Sequence, residues 1–193
     1  GIPDNGSTDN AYFSNYWCAA IGNNDSDDLV YGIVIESGVI YAGTTKAENC
    51  TAIGGGGNGY GQVTIKGGTV TAVATTTGTA IGGGIGFSNA GGKGDVTITG
   101  GNVYAYNHAN KWNIPSSAIG GAGSKNSNGN EGKITISGGK IYAQSASGTA
   151  IGGGSSRNKQ GGNGDVTISG GQVIAKTLAP NSAGIGGGTT CSR

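Results

Sequence analysis

Methionine is absent from this chain of 193 residues, histidine occurs once (His108), and proline occurs three times. Charge is also scarce. There are 11 basic and 10 acidic residues, for a net charge of +1. That balance leaves no basic footprint for nucleic acid and no polybasic cluster for an anionic membrane surface. No apolar run approaches the roughly 18–20 residues that a membrane-crossing helix needs. Low charge argues equally against the charge-rich composition of ordinary disorder. A Ser-His-Asp relay would rest on His108 alone, and no G-x-S-x-G turn places a serine for it. The glycine-rich segments lack the P-loop lysine and any βαβ context, so they do not cradle phosphate. The chain opens on Gly1 without a signal segment, which is expected of a mature or excised piece. Abundant Asn, Ser, Thr and Gly point to a secreted, extracellular or cell-surface setting.

What the chain does have is glycine, 44 residues of it, without the strict triplet of collagen. The glycines belong to a repeat. One block runs from Val63 to Ala72 as VTIKGGTVTA and recurs as VTITGGNVYA from Val96, ITISGGKIYA from Ile134 and VTISGGQVIA from Val166. A degenerate copy, IVIESGVIYA, starts at Ile33, so successive starts lie 30, 33, 38 and 32 residues apart. A shorter block, Ala-Ile-Gly-Gly-Gly or a variant of it, surrounds Ile21, Ile53, Ile81, Ile119, Ile151 and Ile185.

Each long block alternates apolar and polar residues, as a half-buried strand does. Val63, Ile65, Val70 and Ala72 share one side, and Thr64, Lys66, Thr69 and Thr71 the other. The Gly-Gly pair between the halves suits a sharp corner. The short block supplies a third extended face. Three such faces every 32 residues or so predict an all-β chain wound as a parallel β-helix, or β-solenoid. About six coils of three short strands each are expected, right-handed by the general rule for parallel crossovers. Six rungs would span about 29 Å. The thin Val/Ile/Ala core explains why only 34% of residues are hydrophobic.

The VTISGG and AIGGG blocks resemble the glycine-rich repeat regions of bacterial secreted and cell-surface proteins, some of them adhesin-like and some carbohydrate-binding. The resemblance covers about residues 19–188. It implies the solenoid architecture and an extracellular role in adhesion, wall structure or polysaccharide binding.

The ends and cysteines divide the chain further. Residues 1–17 break the repeat and carry Tyr12, Phe13, Tyr16 and Trp17, an expected aromatic cap. Residues 18–188 form the solenoid, and 189–193 a short tail with no cap of its own. Cys18 and Cys50 each lie three residues before a short-block isoleucine. They therefore stack in successive coils within disulfide reach, and a bridge is expected, the alternative being two buried thiols. Cys191 is left over, either for an intermolecular bond or as an incidental thiol.

Several residues are candidates for binding. Tyr41, Thr71, Tyr104, Tyr142 and Ile174 form one outward column, with Asn102 and Lys140 in the column beside it. Flat aromatic faces next to amide and ammonium groups suit a polysaccharide. Trp112 and His108 extend the set from the longest insertion. The alternative is that the tyrosines are ordinary cross-strand pairs. Asp25, Asp27 and Asp28 form the candidate site for Ca²⁺, a hard cation that takes six to eight oxygens. Lacking the glycine and distal glutamate of an EF-hand loop, they read better as a solvated turn, and no cofactor is expected. Asp95 and Asp165 sit two coils apart with Lys133 between them. They are the carboxylates a polysaccharide lyase or hydrolase would use, and as shared turn positions they read better as structure.

The expected function is structural and adhesive, without catalysis. Copies would stack end to end into a surface fibre, with Ile185, Thr189, Thr190 and Cys191 at one end and Tyr12, Phe13, Tyr16 and Trp17 at the other. The alternative is a carbohydrate-binding module using the tyrosine face. Partners are therefore a second copy or a glycan.

Overall fold

The computed structural model describes residues 18–22, 32–44, 49–86, 91–109 and 114–190. Tyr12, Phe13, Tyr16, Trp17, Asp25, Asp27, Asp28, Trp112 and Cys191 lie outside them. Each long block folds as two strands hinged at its glycines, and each short block as one. Numbered along the chain, the short blocks give β1 (Ala19–Gly22), β4 (Thr51–Gly54), β7 (Ile81–Gly82), β10 (Ile119–Gly120), β13 (Ile151–Gly152) and β16 (Ile185–Gly186). The first halves of the long blocks give β2 (Ile33–Ile35), β5 (Gly61–Ile65), β8 (Gly94–Ile98), β11 (Gly132–Ile136) and β14 (Gly164–Ile168). The second halves give β3 (Val39–Thr44), β6 (Thr69–Ala74), β9 (Asn102–Asn107), β12 (Lys140–Ser145) and β15 (Gln172–Thr177). Each set is a parallel sheet whose neighbours are successive coils. We call them sheets A, B and C in that order.

The result is a parallel β-solenoid of five complete coils, extended by β16 as one further rung of sheet A. No helix occurs among the described residues. The coil count differs slightly from the expected six, because β16 adds a sixth rung to sheet A alone. A fourth, thinner seam of isolated bridges joins Gly86, Ser124, Ser156 and Thr190.

The core is a stack of identical columns. Ile53, Ile81, Ile119 and Ile151 from sheet A meet Val63, Val96 and Ile134 from sheet B and Val70, Val103 and Ile141 from sheet C, all buried. Alanine fills the narrow positions, as at Ala72, Ala105 and Ala143. Burying each isoleucine contributes about 1.5–3 kcal/mol.

Two glycine columns are required by the coil geometry. Gly68, Gly101, Gly139 and Gly171 turn the corner between sheets B and C at φ of +82° to +91°. Gly54, Gly82, Gly120 and Gly152 run at +129° to +138°, and a Cβ at any of them would land on the next coil's glycine carbonyl. Beyond β9, Ile114 joins Ile85 and Ala122 in a second small core. Asn107 donates through Nδ2 to the carbonyls of Gly78 (3.0 Å) and Ser116 (2.9 Å).

Candidate functional site

Two regions stand out from the otherwise regular solenoid: the outward face of sheet C and the first and last described coils.

Side chains of sheet C that leave the core fall into three columns, because the strands pair without slippage. The first holds Val39, Thr69, Asn102, Lys140 and Gln172. The second holds Tyr41, Thr71, Tyr104, Tyr142 and Ile174, as the sequence pattern requires. The third holds Gly43, Val73, Tyr106, Gln144 and Lys176. Thr71 divides the tyrosines, leaving Tyr41 two coils from Tyr104.

Tyr104, Tyr106 and Tyr142 form one patch. Tyr106 lies 5.7 Å from Tyr142 between ring centroids, tilted by 45°, and 5.6 Å from the parallel ring of His108. Tyr142 donates its hydroxyl to Gln144 Oε1 at 2.9 Å. Burial pushes the Tyr106 phenol above its ordinary range, with the phenols of Tyr142 and Tyr104 adding to the shift. Tyr106 is the one member the block pattern misses. The repeated ten residues end at Ala105, yet the strand runs on to Asn107. One more step of the alternation would have found it.

Charge is divided between faces. Every acidic side chain among the described residues (Glu36, Asp95, Glu131, Asp165) lies on or beside sheet B. There Glu36, Glu131 and Asp95 each meet a partner. Lys66 reaches Glu36 at 2.9 Å and Lys93 reaches Glu131 at 2.7 Å. Glu36 is thus paired with the lysine of the next coil. Tyr60 donates to Asp95 at 3.1 Å, and Lys133 stands in register between Asp95 and Asp165. On sheet C the only charges are Lys140 and Lys176, both exposed. Among the described residues no cluster of three or more His, Cys, Asp or Glu could hold a metal ion.

The first and last described coils carry most of the exposed apolar side chains. Among the described residues, the large hydrophobic side chains that reach solvent are Val34, Val39 and Tyr41 in the first coil, and Ile168, Ile174, Leu178 and Ile185 in the last. Tyr104 alone lies between them. Ile185 is 44% exposed, whereas Ile151 one rung earlier is fully buried. Thr189 and Thr190 lie beside it, Thr189 N–H donating to Ser155 Oγ at 3.1 Å and Thr190 bridging Ser156.

At the N-terminal end the two cysteines are neighbours in adjacent coils. Cys18 N–H donates to the Cys50 Sγ at 3.4 Å, and the pair is present as thiols. Cys50 is fully buried, and burial first, with the Cys18 thiol second, pushes its own thiol up to about 12.

The solenoid therefore defines the class of the molecule. No family model, curated protein or solved structure matches this chain.

Proposed function

We propose that this chain is a non-enzymatic structural element of an extracellular or cell-surface assembly, and that copies join end to end by continuing the solenoid. The observation that carries this reading is the exposure of Ile168 and Ile185 on the last coil, whose column mates Ile136 and Ile151 one coil earlier are fully buried. Interior coils put threonine or other polar residues where the first coil has Val34 and Val39. The edges are also chemically alike. Ile185 shares a column with Ile21, Val166 and Ile168 with Ile33 and Ile35, and Val173 with Ile40. An open strand edge is a ready template for another chain, and a head-to-tail contact that does not close yields a filament.

A Cys18–Cys50 bridge belongs to the same reading. It would tie β1 to β4 and strengthen the N-terminal rung by about 3–4 kcal/mol in an oxidising compartment. Cys191 would be available to reinforce the junction.

The test places lysines on the open edge. Ile185→Lys with Thr190→Lys should abolish concentration-dependent light scattering while leaving the strand signal in circular dichroism unchanged. Undiminished association in that double variant would refute the end-stacking reading.

A further inference from the structure

We propose that the outward face of sheet C binds an acidic, β-linked polysaccharide. Its sugar rings would lie on Tyr104 and Tyr142, and its carboxylates would be met by Lys140 and Lys176. This goes beyond end stacking and uses a different surface.

Three observations converge. First, Tyr104 and Tyr142 are register neighbours on adjacent strands of a regular sheet, and Tyr106 backs them from the next column. Aromatic rings repeated along a sheet offer the flat faces on which the C–H side of an equatorial pyranose rests. Second, hydrogen-bonding amides flank the rings on both sides: Asn102 and Gln172 in the first column, Gln144 in the third. Third, the electrostatics of this face are one-sided. All four acids of the described chain are gathered at sheet B, while sheet C carries two exposed lysines and no acid among the described residues. A neutral sugar has no use for that separation, and a uronate polymer does. Lys140 sits two residues before Tyr142 on the same strand, and Lys176 is in register with Gln144. The two ammonium groups thus border the tyrosine patch on opposite sides.

The experiment is a calorimetric titration of the whole chain with three probes at low and high salt. They are mannuronate oligomers as the acidic β-linked glycan, cello-oligosaccharides as its neutral counterpart, and inorganic polyphosphate as a bare polyanion. Two exposed ion pairs should favour the mannuronate over the neutral oligomer by roughly tenfold at low salt, and less at high salt. Lys140→Gln with Lys176→Gln should erase that preference. Tyr104→Ala with Tyr142→Ala should remove glycan binding altogether. Both variants should fold: the lysine variant should melt like the parent, and the tyrosine variant, which loses the Tyr106–Tyr142 ring contact and the Tyr142–Gln144 hydrogen bond, should melt as cooperatively at a slightly lower temperature. Equal affinity for the acidic and neutral glycans would overturn the proposal. So would glycan binding that survives loss of the tyrosines, or polyphosphate binding as tight as mannuronate binding. Light scattering on the same samples keeps the two proposals apart, because the face variants should associate end to end like the parent.

Discussion

At the residue scale, burial gives three side chains altered acid–base behaviour. Cys50 is raised from 9.0 to about 12 by burial and by its contact with Cys18. Tyr60 is raised from 10.0 to about 12 by burial and then by Asp95. Tyr106 shifts in the same direction. In each case the folded chain holds its proton to a higher pH than the unfolded chain does. The associated stability is therefore complete below about pH 9 and is lost as pH rises toward 12. A denaturant midpoint measured on reduced protein should be level up to pH 9 and then fall, and Cys50→Ser should soften the first part of the fall. A midpoint that climbs above pH 9 would contradict this. The columns of Tyr41, Tyr104 and Tyr142 were legible in the sequence because strand alternation gives each residue a face. Tyr106 and His108 were not grouped, because their contact depends on how far β9 continues past the repeated block.

At the scale of the strands, the repeat specifies register as well as fold. Ile119 is fully buried between Ile81 and Ile151, so Ile119→Ala should cost about 2–5 kcal/mol in chemical denaturation. Gly120 runs at φ +129° with the Gly152 carbonyl where a side chain would go. Gly120→Ala should therefore cost at least about 2 kcal/mol. A neutral result would mean that the coils are not stacked in this register. One position departs from the repeat in a way that bears on assembly. Gly67, Gly100, Gly138 and Gly170 each abut a backbone carbonyl of the preceding coil, but the first coil has Ser37 in that column. A copy docked in perfect continuation would press Ser37 against the carbonyl of its neighbour's Ser169. The junction must open slightly at this corner, and Ser37→Gly should tighten end-to-end association. Weaker association in that variant would mean that the ends meet in another register. The cysteine column was likewise readable from spacing, since Thr51 N–H bonds to the Cys18 carbonyl at 3.0 Å as coil stacking demands. The covalent state of the pair depends on the oxidant around it. Protein purified without reductant should weigh less than its reduced form by one hydrogen pair, and equal masses would exclude the bridge.

At the scale of the whole molecule, the middle and the ends follow different rules. Interior coils hide their apolar columns between neighbours and expose threonine, lysine and amides. The terminal coils carry Val39 at 87% exposure, Tyr41 at 72% and Ile174 at 59%. The solenoid itself was legible because one supersecondary unit repeats five times and stacking the copies buries its Val/Ile face. The apolar ends were only partly legible, since Ile168 and Ile185 are exposed by their place on the last described rung and not by a change in their own block. The separation of charge between sheets B and C was hidden for a related reason: near-zero net charge conceals opposite faces until the register is known. The most direct measurement of end stacking is sedimentation velocity across a wide dilution series, with and without reductant. The account predicts a ladder of elongated species that grows with concentration and is lost on placing lysines at Ile185 and Thr190. A single compact monomer at every concentration would contradict it.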